Sequence, residues 1–203
     1  MSAPPISAGV TMRALTLTQP WATLVAISAK RLETRSWTTT YRGPLAIHAA
    51  KTFPTGARGL CVPGPGFARS PFSDALRAAG VRGPVRDGRR CSTGDLPLGM
   101  VIATAVLTDV VLIDETFGAD LHARNHDEGR HELAFGDYAP GRYAWLLDQV
   151  TPLDPPVPAR GAQGLWAWRP GPAALPARIV HDHLVDQGGP KAARRVREEA
   201  TAP

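Results

Sequence analysis

Apolar and polar positions alternate along two early stretches of the chain, and a run of longer period separates them. Ala14-Leu15-Thr16-Leu17-Thr18 sets apolar side chains against threonines, the two-residue period of a strand. Trp21, Leu24, Val25 and Ser28 then recur at helical spacing. They predict a short helix ending near Ala29, with Pro20 at its first position and Thr18 or Gln19 available as a cap. Alternation resumes from Lys30 to Trp37 and continues through Thr38–Tyr41. Gly43-Pro44 marks a turn, and Leu45-Ala46-Ile47-His48-Ala49 reads as a buried strand.

Residues 52–98 break the pattern. They are rich in glycine and proline, which predicts a long insertion or lid with little regular structure. One short helix is expected over Pro71–Ala79, where Phe72, Ala75, Leu76 and Ala79 share a face. Order returns at Gly99: Met100–Leu107 is almost wholly apolar, as in a central strand covered on both sides, and Asp109–Ile113 extends it across a bend. Residues 114–133 are charged, with weak helical character. Tyr143–Leu147 is a further strand, 152–158 is extended, and Leu165–Trp168 closes the pattern. The ends predict a flexible N-terminus over 1–11 and a C-terminal extension over 170–203, leaving one domain at 12–169. Several strands, one or two short helices and no βαβ alternation predict an α+β, mainly β fold, a small mixed sheet curled toward a barrel.

Composition adds a location and a partner class. No apolar stretch approaches the roughly 18 residues that cross a bilayer, and no charge precedes Arg13 to start a secretory signal. A cytoplasmic protein is expected, with Cys61 and Cys91 as two thiols in a reducing compartment and no membrane partner. The net charge of +5 is concentrated: residues 56–90 hold seven arginines against Asp74 and Asp87, and the rest of the chain balances. Such a segment attracts polyanions by releasing their counterions. The spacing of His122, His126 and His131, with Asp127 and Glu128 between, matches no zinc pattern, so no metal is expected. The chain shows no nucleophile elbow, phosphate-binding loop or dinucleotide fingerprint, and no cofactor is expected.

Candidate chemistry gathers at Lys30-Arg31-Leu32-Glu33-Thr34-Arg35-Ser36-Trp37, where a helix hands over to a strand. If 31–37 is extended, Glu33, Arg35 and Trp37 project to one face, and Lys30 swings to the same side. An ammonium, a carboxylate, a guanidinium and an indole together suit a nucleobase, which is held by edge hydrogen bonds and by stacking on aromatic or arginine planes. His48 ends a buried strand, with Lys51 three residues on.

These residues, together with Gln19-Pro20-Trp21-Ala22, Tyr41-Arg42-Gly43-Pro44, Phe135-Gly136-Asp137-Tyr138 and Gly161-Ala162-Gln163-Gly164-Leu165-Trp166, resemble the ASCH domain family over roughly 13–51 and 99–168. The resemblance implies a PUA-like β-barrel and binding of single-stranded RNA or a modified nucleoside. It implies ligand contacts at Trp21, Arg35, Trp37, Arg42, His48 and Lys51. Some ASCH members hydrolyse N4-acetylcytidine with a lysine, a threonine and a glutamate. Lys30 matches that lysine, Glu33 falls where the threonine stands, and Glu128 or Glu132, with Glu132 preferred, takes the glutamate's place. Lys30, Glu33 and Glu132 are therefore the candidate catalytic residues of an amidohydrolase alternative. A ribonuclease using His48 or Lys51 is a third expectation.

Overall fold

The computed structural model describes residues 11–62, 70–84, 86–87, 90–91, 94–117, 119–121 and 132–170. The histidine-rich stretch around His122–His131, with Glu128, lies outside them, as do most of the two expected terminal extensions.

Among the described residues the main elements follow in the order β1 (Met12–Leu17), α1 (Trp21–Ala26), β2 (Leu32–Arg35), β3 (Gly43–Ala49), α2 (Thr55–Cys61), α3 (Pro71–Ala78), β4 (Arg86–Asp87), β5 (Arg90–Cys91), β6 (Met100–Leu112), β7 (Tyr143–Pro158) and β8 (Leu165–Trp168). A 3-10 turn at Glu132–Phe135 precedes β7. Six strands form one mixed sheet in the order β2-β7-β6-β3-β1-β8, with β1 and β3 parallel and the other pairs antiparallel. The order has two ends, β2 and β8, so backbone pairing does not close the sheet into a barrel. Among the described residues no helix is long and apolar enough to cross a membrane.

The main core lies where α1 packs on the sheet. Leu15, Leu17, Ile47, Leu107 and Trp145 are buried there with Ala22 and Val25 of the helix. Helix α1 is only six residues long and has no first-turn acid to complement its dipole. Its start is secured instead by the fully buried Gln19, whose carbonyl accepts from Thr23 N at 3.1 Å while its amide donates to Pro97 O at 2.9 Å. Of the two expected caps, the chain uses the one that also ties down the 94–99 segment.

The described parts of residues 52–98 hold more regular structure than glycine and proline content suggested. Helices α2 and α3 bury Ala57, Cys61, Phe72 and Leu76 against Leu24 and Phe135, forming a second small core. Ser70 and Ser73 make a reciprocal capping box on α3. The period missed α2 because the helix is seven residues long and buries just Ala57 and Cys61, too few positions to set a period. Three arginines here face local partners: Arg58 lies over the Phe53 ring, Arg77 meets Asp74 at 3.0 Å, and Arg82 meets Asp95 at 3.0 Å.

At the other end, the loop after β7 folds flat over β1 and β3. His48 and Thr16 are register partners, so both side chains meet this loop. His48 Nε2 donates to Ala159 O at 3.1 Å, and the Thr16 hydroxyl donates to Ala162 O at 2.9 Å. Gly161 permits the approach: a Cβ there would stand 2.4 Å from His48 Cε1 and 2.9 Å from Thr16 Oγ1. The buried imidazole cannot give way cheaply. Gly161→Ala is therefore expected to cost about 1–3 kcal/mol through overpacking, read as a lower denaturant midpoint at unchanged m-value.

Candidate functional site

The turn after α1 places the first functional side chain. Lys30 N donates to Leu24 O, which closes the helix and sends the lysine side chain inward. Lys30 is fully buried; its Nζ donates to Leu32 O and lies 3.6 Å from Glu33 Oε2. The other oxygen of Glu33 is 3.1 Å from Arg35 Nε, a contact that lies off the hydrogen-bonding direction and is therefore an ion pair only. Arg35 Nη2 reaches across to Thr16 O at 3.2 Å. That carbonyl is reachable because the β8 ladder ends at Leu15. Ammonium, carboxylate and guanidinium thus form a continuous chain from the helix end to β1.

A pocket of about 430 Å³ opens beside this chain. Glu33, Thr34 and Arg35 form one wall, Thr16–Thr18 another, Trp21 with Phe72 and Leu60 a third, and Ala134–Asp137 the last. Trp21 Nε1 donates to Phe135 O at 2.7 Å, and Phe72 meets Trp21 and Phe135 edge-on with centroids 5.8 and 5.1 Å away. The polar edge of Trp21 is spent, so the indole contributes to the pocket as an apolar surface. Gly136 lets the last wall close in: a Cβ there would come within 2.7 Å of the Tyr138 ring.

Glu132 acts behind the pocket and is absent from its lining. Its Oε2 accepts from Arg31 N at 2.9 Å, its Oε1 from Leu32 N at 3.1 Å, and the Tyr138 hydroxyl stands 3.2 Å from Oε1. The carboxylate satisfies the first amides of β2 and fixes where Glu33 stands. Burial, then the neighbouring Glu132 carboxylate, push the Tyr138 phenol far above its ordinary range, so it stays a donor.

The expected site residues therefore separate. Trp21, Glu33 and Arg35 line the pocket, and Lys30 and Glu132 stand behind it. Trp37 does not join the lining: its ring packs edge-on against Trp145, the register partner of Glu33, at 4.6 Å. Arg42 pairs with Asp109 at 2.9 Å and donates to Thr39 O and Tyr41 O, away from the lining. His48 and Lys51 line a different cavity, of about 980 Å³. The pattern did not reveal Thr16, Thr18, Leu60 and Phe72, which only the tertiary fold brings to the pocket. Among the described residues no group of three His, Cys, Asp or Glu is placed to hold a metal ion.

Two stability measurements check this geometry. Glu132→Ala leaves two amides without their acceptor, at about 1–3 kcal/mol each when such groups stay buried; Glu132→Gln is expected to lose less. Burial lowers the pKa of His48 from 6.5, against the opposing bond to Ala159. The unfolded chain then binds the proton more readily, so stability is whole above about 6.5 and falls with pH below it. The midpoint is expected to drop from pH 7.5 to 5.5 (~two units across the window), and less so in His48→Gln. A drop of equal size in the variant assigns it elsewhere.

Comparison with known proteins places the chain. The crystal structure of ASCH from Zymomonas mobilis aligns with 86% of this chain and 94% of its own, at 15% identity and a TM-score of 0.42. Two point variants of that protein align at 15% identity with TM-scores of 0.41 and 0.40, covering 86% and 91% of this chain and 96% and 99% of theirs. No curated protein matches. The model of the ASCH domain matches residues 15–144, a span running from β1 into β7 and holding the whole Lys30–Glu33–Arg35 chain, and this protein therefore belongs to the ASCH domain family.

Proposed function

We propose that the protein binds RNA, holding one base of a single-stranded or modified strand in the pocket beside Glu33. ASCH domains are generally thought to bind RNA, which sets the ligand class. The observation that carries the reading is the pairing, within about 430 Å³, of an apolar indole surface with a carboxylate braced by two cations. Small-ligand pockets span roughly 300–1,000 Å³ and combine apolar walls with a few placed polar groups. Trp21 offers a surface to stack on. Glu33 is acceptor-only and suits a base edge that presents an exocyclic amine. Arg35 supplies positive charge at the mouth.

A second reading rests on the contact between Lys30 and Glu33. Glu33 takes a proton from water, the water oxygen attacks the acetyl carbon of an N4-acetylcytidine-type amide, and the C–N bond breaks. The departing amine takes up the proton from Glu33, cytidine and acetic acid leave, and the acid gives its proton to solvent. The buried Lys30 ammonium favours negative charge at this end of the pocket. Binding is the preferred reading because Lys30 stays behind the pocket wall.

Fluorescence anisotropy with a short labelled single-stranded RNA, run beside N4-acetylcytidine turnover, tests both. Binding without turnover is expected, with Trp21→Ala weakened by about 1–3 kcal/mol, the worth of one stacked base. Arg35→Ala is expected to bind roughly tenfold less tightly, or ~1.4 kcal/mol. Turnover abolished in Glu33→Gln moves the conclusion to the hydrolase. Neither binding nor turnover by a folded protein overturns both readings.

A further inference from the structure

The larger cavity, of about 980 Å³, shares Thr16 with the pocket. Thr16 lines both and is tied to each: its carbonyl accepts from Arg35, and its hydroxyl donates to Ala162 in the loop that walls the second.

Their electrostatics differ. The pocket carries Glu33 and Asp137 with Arg35. The larger cavity carries Lys51 and Arg160, a histidine whose burial favours the neutral form, and no acidic residue. Arg31, Arg42, Arg77, Arg82 and Arg142 each sit within ion-pair distance of an aspartate. Lys51 and Arg160 are exposed and make no ion pair among the described residues.

Both cations stand on fixed backbone. Arg160 lies between Ala159, pinned by His48 and by its own amide to Gly99 O at 3.1 Å, and Ala162, pinned by Thr16. The Lys51 stem lies against Gly99, whose Cβ position would be 3.8 Å from Lys51 Cβ and Cγ. Two unpaired cations on a pinned loop and a strand end, with no acid between them, suit a phosphate group.

We infer that the larger cavity is a phosphate subsite, in which Lys51 and Arg160 hold the backbone of the single strand whose base enters the neighbouring pocket. The two cavities then form one track, crossed by the strand at Thr16. This rests on the RNA-binding reading of the pocket and extends it from one base to the adjoining phosphodiester.

The test is the salt dependence of binding a short single-stranded RNA, measured for the full chain and for Lys51→Gln/Arg160→Gln. Each lost phosphate contact flattens the plot of log K against log salt by roughly 0.7 for single strands. The double variant is expected to lose about 0.7 of slope, the figure for the one phosphodiester that the two cations share, and to bind an unphosphorylated nucleoside as the parent does. Arg13→Gln, which removes an exposed cation outside both cavities, is expected to leave the slope in place. An unchanged slope in the double variant overturns the subsite, and so does an equal loss in Arg13→Gln, which would signal net charge alone. Inorganic phosphate titrated at constant ionic strength separates the two sources of the group. Saturable phosphate binding together with an unmoved RNA slope assigns the cavity to free phosphate and overturns the track. A parent that binds no nucleoside but shows the slope loss with RNA sinks the base-pocket reading and leaves the subsite standing.

Discussion

A lysine with no exposed surface constrains this fold more than any other residue. Taking an ammonium out of water costs several kcal/mol in real proteins, and a good carboxylate partner with further hydrogen bonds is needed to recover it. Lys30 finds Leu32 O and Glu33, and Glu33 in turn finds Arg35. Removing one member of such a buried pair typically costs about 3–5 kcal/mol, because the other is left uncompensated. The helix end, the edge strand and the mouth of the pocket are thus held to one another by charge. The same arrangement fixes a carboxylate at a wall where an ordinary apolar core would put an aliphatic side chain.

Supporting parts follow from that constraint. Edge strand β2 has β7 on one side only, so its first amides need an acceptor from elsewhere. Glu132 supplies it, and the buried Tyr138 hydroxyl completes the shell. Arg35 spans the gap that strand pairing leaves between β2 and β1. A guanidinium thus bridges the sheet where backbone hydrogen bonds do not, and the opening it bridges is the pocket.

Legibility tracked how local the determining physics was. β8 was read at its observed ends because Leu165–Trp168 is a short aromatic run bounded by Gly164. β7 was read in two pieces, Tyr143–Leu147 and 152–158, because Pro152, Pro155 and Pro156 break the pattern while the strand runs on through them. The Lys30, Glu33 and Arg35 cluster was visible as a sequence neighbourhood, and the fold brings those three together. Trp37 was expected beside Glu33 and Arg35; its ring packs on Trp145, the register partner of Glu33, and is absent from the pocket lining. Glu132 was reached through the family resemblance alone, because its bonds to Arg31 N and Leu32 N span about a hundred residues and leave no local trace. His48 and Lys51, expected at the pocket beside Arg35, line another cavity that shares Thr16 with it.

The account stands on the claim that the charged chain borders the place where a ligand base resides. Its most direct check is an amide and indole NMR titration of the protein with an unphosphorylated nucleoside carrying an exocyclic amine. Saturable shifts are expected at the Trp21 indole N–H, at the Glu33–Arg35 amides and at the Phe135–Asp137 amides, with the β8 amides still. Saturable binding that leaves the first three groups unmoved would contradict it.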